Sequence, residues 1–230
     1  MRASVHQNRL CLIVGIVNSQ CQQAENAVGT SASCGSSGLN YHEFQWGIVV
    51  NPLKELDELA ALFPEPAEQR LYLRAEHVAK EATPEPYHHM LVHEHHMTVS
   101  MESWHNCSVD VDVLASRLEN GLYLRKIVLR KGGTPQPVQF GYVRFNLDLV
   151  TPQVRREILE EKVPLGRVLI QHNVFRHVDL GAILRFTAGP GLERYLRMQP
   201  GEVTYGRLAT IFCNGIPAID LLEISAPLNS

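Results

Sequence analysis

Apolar residues in the stretch NPLKELDELAALFPEP fall at Leu53, Leu56, Leu59, Ala60 and Phe63, the three-and-four spacing that gathers side chains on one face of a helix. Asn51 can cap the start, Pro52 suits a first turn, and Pro64 ends the run, so an amphipathic helix is predicted with Glu55, Asp57 and Glu58 on its solvated side. Beyond the proline-rich joint ATPEPYHHM the period shortens to two. Met97, Val99 and Met101 alternate with Thr98, Ser100 and Glu102, and Val109, Val111 and Val113 repeat at the same interval. Both segments are predicted as strands, with HNCS as a hairpin-like turn between them. GLYLRKIVLRKGGTPQPVQFGYVRFNL predicts two further strands around the turn KGGTPQP.

TPQVRREILEEKVPLG opens with a capping Thr151 and a first-turn Pro152 and sets Val154, Ile158 and Leu159 on one face, so a second helix is expected. GRVLIQHNVFRHVDLGAILRFT is an apolar run mixed with loop residues. TYGRLATIFCNGIPAIDLLEISAP is a strand, an Asn-Gly turn and another strand. Several strands joined by hairpins and a few helices imply an α+β domain built on an antiparallel sheet flanked by helices.

The chain is 230 residues long, 45% hydrophobic, with a formal net charge of −3. That length supports one well-buried core, and the charge leaves no basic excess for nucleic acid or an anionic membrane surface, so neither is expected as a partner. Residues 22–40, QQAENAVGTSASCGSSGLN, have the composition of a flexible linker. Ahead of them LCLIVGIV follows Arg2 and Arg9 like a short signal segment, but it is too short to span a bilayer and NSQCQQ behind it offers no clean cleavage site. Five widely spaced cysteines, Cys11, Cys21, Cys34, Cys107 and Cys213, contain no C-x-x-C pair and suit a reducing cytoplasm.

Five histidines, His88, His89, His93, His95 and His96, crowd into nine positions around Glu94. The H-E-x-x-H pattern of zinc proteases is incomplete here, because His93-Glu94 is followed by His95, His96 and Met97. His89 and His93 stand one helical turn apart but lack a third ligand at a useful spacing, so no metal and no cofactor is expected, and the histidines are expected at loop or helix ends. Nucleophile elbows, P-loops and dinucleotide-binding glycine motifs are also missing.

Four segments taken in order, HMTV at His96–Val99, LYLRKIVL at Leu122–Leu129, VPLGRVLI at Val163–Ile170 and GRLATIFCNGIPAIDLLEISAP at Gly206–Pro227, resemble the chorismate pyruvate-lyase family in its broader branch. More remotely they resemble the ligand-sensing domain of GntR-type regulators. The resemblance covers about residues 85–228. It divides the chain into a flexible or signal-like segment at 1–40, a helical extension at 41–84 and a chorismate-lyase-like domain at 85–230.

What the resemblance implies is a lyase that eliminates pyruvate from chorismate, or from a related enol-pyruvyl carboxylate, to leave 4-hydroxybenzoate without a cofactor. The same fold also implies an alternative, a non-catalytic domain that binds or senses a small carboxylate, aromatic or otherwise. Arg125 matches the family arginine that holds the carboxylate, a role for which a guanidinium fork is suited. Leu165 and Gly166 match the segment whose backbone amide points at the same carboxylate, and Met97 with Thr98 matches the opposite wall. Glu223 matches the acid near the ring oxygen, a position from which a carboxylate can manage protons. Asp220 is its rival, and Glu223 reaches the pocket only if a bulge lies between it and Pro217. Arg144 and Arg176 are further candidates for a second carboxylate.

Overall fold

In a computed structural model the chain is described over residues 51–174 and 176–228, and these residues belong to one compact unit. The expectations for residues 1–40 lie outside them. Helix α1 (Pro52–Ala60) forms as its pattern predicts, with Asn51 Oδ1 accepting from the Leu53 amide and Leu56 and Leu59 buried. Strand β1 (Tyr72–Val78) follows, then helices α2 (Tyr87–Leu91) and α3 (Met97–His105). Three long strands come next, β2 (Val109–Glu119), β3 (Leu122–Lys131) and β4 (Pro137–Asn146). Helices α4 (Pro152–Leu159) and α5 (Leu165–Gln171) lead to β5 (Arg176–Ala188), helix α6 (Pro190–Leu196), β6 (Val203–Cys213) and β7 (Ile216–Ser225).

The seven strands form one antiparallel sheet in the order β1-β5-β6-β7-β4-β3-β2. Helices cover both faces. On one face α1 and α6 pack over Phe140, Tyr142, Phe186, Leu208 and Leu222. On the other, α4 and α5 cover Val143, Phe145, Ile211 and Leu221, while α2 and α3 cover Ile127, Leu129, Leu180 and Ile183. The α+β class and the antiparallel sheet flanked by helices are therefore as expected.

Several expectations change. Met97–His105 is helix, not strand. The sequence MTVSM satisfies both periods, and burial decides between them: Met97 and Met101, four apart, are buried, whereas Val99 is 42% exposed. The predicted turn HNCS begins as this helix's C-terminal stop, with Asn106 in the left-handed region at φ 49°. The GRVLIQHNVFRHVDLGAILRFT stretch resolves into α5 and a thirteen-residue β5. Residues 52–84 are not a separate extension, since β1 pairs with β5 from Tyr72 to Val78 and Leu56 and Leu59 sit in the shared core. Leu159, expected on the buried face of α4, is 37% exposed, while Val154 and Ile158 are buried.

The β6–β7 hairpin sets the register of the site. Asn214 and Gly215 both have positive φ, 53° and 78°, the conformation that a tight two-residue turn needs. Cys213 pairs with Ile216 and Phe212 with Pro217, but Ile211 pairs with Ile219. Ala218 is thus the extra residue of a β-bulge, and beyond it Arg207 stands directly across from Glu223.

Candidate functional site

The inner face of β3, β4, β6 and β7 carries side chains of two kinds. Odd-numbered residues of β4 and of the bulged β7, among them Gln139, Gly141, Val143, Leu221 and Glu223, point toward α3 and α5, and Arg125, Ile127 and Leu129 do so from β3. Together with His96, Met97, Thr98, Pro164, Leu165 and Gly166 they enclose a cavity of about 40 Å³. A single water needs about 10–15 Å³ of such space, so this cavity holds on the order of three water-sized groups.

Two arginines are fully buried on this face, and they differ in one respect. Arg207 is satisfied: its Nε donates to Glu223 Oε2 at 2.8 Å, Nη1 to the carbonyl of His93 at 2.9 Å, and Nη2 to the carbonyl of His95 at 2.9 Å. Arg125 is 1% exposed and lines the cavity; none of its three nitrogens makes a hydrogen bond of good geometry within the protein, although the Tyr123 hydroxyl stands close enough to favour its charged form. Burial pulls its pKa down from the ordinary arginine value, opposed by the nearby Tyr123 and Glu161. Those two groups are bonded to each other, Tyr123 Oη donating to Glu161 Oε1 at 2.7 Å. An arginine side chain stays cationic in proteins, so Arg125 presents to the cavity a positive charge that Tyr123 and Glu161 offset only in part.

The roof is held by short-range fits. Gly166 lets the start of α5 approach the start of α3: an added Cβ would come 2.8 Å from Thr98 Oγ1 and 3.3 Å from His96 Cβ. An ion pair between Arg167 of α5 and Glu102 of α3 ties the same two helices. His93 anchors the loop between α2 and α3. Its Nδ1 faces Arg207 Nη1 and the amide of His95, both of which can only donate, so the proton sits on Nε2 and is given to the Met90 carbonyl at 2.7 Å. Burial, reinforced by the Arg207 charge, lowers its pKa to about 4.

Of the residues singled out from the sequence, Arg125, Met97, Thr98, Leu165, Gly166 and Glu223 are brought together around the cavity. Met97 contributes from the first turn of α3 rather than from a strand. The bulge at Ala218 turns Glu223 to the cavity face and leaves Asp220 on the other. Arg144 is corrected: strand alternation puts Gly141 and Val143 inward and Arg144 outward, where its Nε and Nη2 both donate to Asp220 Oδ2 at 2.9 and 2.8 Å. The side chain of Arg176 lies outside the described part of the structure. Arg207 and Gln139 were not singled out, yet both line or brace the site. The hairpin register, once shifted by one bulge, pairs Arg207 with Glu223. Gln139 gave a weaker signal, a polar side chain in the otherwise apolar first half of its strand.

Among the described residues no group of three or more His, Cys, Asp or Glu is placed to hold a metal ion. No helix among them is long and apolar enough to cross a membrane.

The arrangement is that of an α+β domain with a small, cation-bearing cavity between its sheet and two roofing helices. No family model matches the chain, and no curated protein matches it. Among solved structures it is similar to the effector domain of PhnF from Mycobacterium smegmatis, at 8% identity and TM-score 0.44, covering 57% of this chain and 88% of that one. It is similar also to the C-terminal domain of the histidine utilization repressor from Pseudomonas syringae pv. tomato, at 11% identity and TM-score 0.39, covering 53% and 96%. A third is the ligand-binding domain of a transcriptional regulator ascribed to the GntR family, from Bordetella bronchiseptica, at 14% identity and TM-score 0.40, covering 53% and 91%. Overlaps of this size carry nothing about ligand or activity, which rest on the cavity itself.

Proposed function

We propose that this domain binds a small carboxylate in the Arg125 cavity and acts as a binding or sensing module rather than as an enzyme. The observation that carries the reading is the orphan guanidinium of Arg125, fully buried and facing the cavity while its neighbour Arg207 is saturated. A buried donor without a partner is costly, and a buried unpaired charge more so. A carboxylate offsets both, since two oxygens fit the guanidinium fork, and it is the smaller of the anions that do so in a cavity of about 40 Å³.

Glu223 has a structural task that accounts for its place. It shares a charge-assisted hydrogen bond with Arg207, and Arg207 in turn clamps the loop that closes the cavity. Glu223 is therefore part of the brace, not a free acid. The lyase reading, elimination of pyruvate from chorismate, draws on Glu223 lining the cavity, but one oxygen of that carboxylate is tied to Arg207 and a ring would have to enter about 40 Å³.

Thermal shift and calorimetry with small carboxylates and their uncharged amides test the proposal. Carboxylates should raise the melting temperature and amides should not. Arg125→Met should lose the ligand response by roughly a hundredfold in affinity, as a charged hydrogen bond and its desolvation are removed together. Met should also leave the unliganded protein as stable or more so, because an unsatisfied buried charge is replaced by an apolar chain of similar length. Incubation with chorismate is expected to release no pyruvate above its spontaneous breakdown; enzyme-dependent pyruvate, followed by mass, would reinstate the lyase.

A further inference from the structure

The groups that partly offset Arg125 form a chain of their own. Tyr123 and Arg125 stand two residues apart on β3, so their side chains leave the same face of the sheet, about 7 Å apart at the backbone. Tyr123 is 2% exposed, and its hydroxyl donates to Glu161 Oε1 at 2.7 Å. The phenolic oxygen is left as an acceptor beside the Arg125 guanidinium, where it favours the charged form. Each buried arginine of this face thus has one carboxylate. Arg207 holds Glu223 directly, whereas Arg125 has Glu161 at one remove, through a hydroxyl. Glu161 also belongs to the roof. It lies in the turn between α4 and α5, just past the C-cap Glu160, with φ 58°, a left-handed conformation that disfavours any residue with a Cβ. A little further on, Pro164, Leu165 and Gly166 line the cavity. The bond to Tyr123 therefore ties the floor strand to the turn that positions the roof helix.

We infer that Glu161 is the resident counter-charge of this site and the ligand's competitor: an anion that enters the cavity displaces Glu161 from the Tyr123 hydroxyl, and the exchange frees the α4–α5 turn. This rests on the carboxylate reading above. The reason is one proton and two carboxylates. A phenol has a single O–H to give. While Glu161 holds it, the oxygen beside Arg125 shows only lone pairs to a second anion. When the hydroxyl turns to the newcomer, Glu161 loses its charge-assisted partner, and the negative charge now on Arg125 opposes its return. With its side chain released, nothing offsets the left-handed backbone at Glu161. Glu160 and Lys162 on either side are exposed, so occupancy of a buried cavity becomes a change at the surface of the molecule.

Formate is the probe, because its three heavy atoms match a cavity of about 40 Å³. On the full chain, thermal shift titrations with sodium formate against sodium chloride of equal ionic strength give its apparent affinity, and hydrogen exchange follows the amides of residues 160–163. In the wild type formate should speed exchange at this turn about tenfold, the loss of one charged hydrogen bond. Glu161→Gln keeps an acceptor for Tyr123 and removes the charge. It should bind formate about tenfold more tightly than the wild type, since the anion no longer meets a resident carboxylate. A merely structural residue would weaken binding, or leave it unchanged, when altered. Tyr123→Phe cuts the tie, so exchange at residues 160–163 should be fast with and without formate.

The inference is overturned if formate binds through Arg125 but Glu161→Gln binds it no more tightly than the wild type, if formate leaves exchange at residues 160–163 unchanged or slows it, or if formate still speeds that exchange in Tyr123→Phe. In those cases the carboxylate reading stands. If formate raises the melting temperature of neither the wild type nor Glu161→Gln, and Arg125→Met behaves as the wild type toward it, the carboxylate reading falls, and this inference with it.

Discussion

At the scale of single residues, two fully buried arginines share one face of the sheet and are satisfied unequally. Arg207 is the hub: one guanidinium reaches Glu223 and two carbonyls of the His93–His96 loop. His93, against that hub, is held neutral, and this has a consequence for stability. Its folded pKa, about 4, lies below the ordinary value of 6.5. Between those values the unfolded chain takes up a proton that the folded chain refuses, so stability is full above about pH 6.5 and falls as the pH drops toward 4. At about 1.4 kcal/mol per pH unit the loss amounts to at most about 3 kcal/mol. Urea unfolding at pH 7 and pH 5 should show this slope in the wild type. A His93→Gln variant, which keeps a polar group but does not titrate, should flatten it.

At the scale of elements, two local devices shape the cavity. One is the bulge at Ala218, which reverses the facing of every β7 residue beyond it. Without it Glu223 would point to the opposite face and Arg207 would be left buried without its carboxylate. The other is the contact between α3 and α5 at Gly166. A Gly166→Ala substitution puts a methyl group 2.8 Å from Thr98 Oγ1 and 3.3 Å from His96 Cβ, so that Thr98 must turn or the two helix starts must part. It should cost about 1–3 kcal/mol by overpacking and shift the roof, so that carboxylates no longer raise the melting temperature. Denaturant unfolding measures the first effect and a thermal shift titration the second. Helix α5 has no side-chain cap at its start, where Pro164 occupies the cap position, while α4 has Thr151 Oγ1 accepting from Val154 at 3.4 Å. Neighbouring contacts, above all Gly166 on Thr98 and the Arg167–Glu102 pair, are what hold the roof.

At the scale of the whole molecule, the sheet unites parts of the chain that the sequence pattern had separated. A fragment of residues 85–230 would lack β1 and α1, stripping β5 of one of its two antiparallel neighbours and removing Leu56 and Leu59 from the core. Exposed hydrogen-bonding groups and lost apolar burial should leave it without a cooperative unfolding transition, whereas a fragment of residues 48–230 should unfold cooperatively; circular dichroism melts of the two compare them directly.

Long alternation and turn chemistry were legible from the start: β2, β3, β4, β6 and β7 follow from period-two runs and from Asn214-Gly215, and α1 and α4 from spacing and capping residues, because these signals are local. Met97–His105 was not, because MTVSM fits either period and the choice falls to whichever face finds a partner. Nor was β1, which has an apolar neighbour only once β5 lies beside it. The sequence by itself determined the α+β class, the hairpin order of the later strands and Arg125 as the residue to watch. Only the tertiary structure decided that Glu223 faces inward, that Arg144 belongs to Asp220, and that Arg125 is left without a direct partner while Tyr123 donates to Glu161. Facing depends on a single bulged residue, and an orphan is defined by every group around it, so neither is a property of the residue alone.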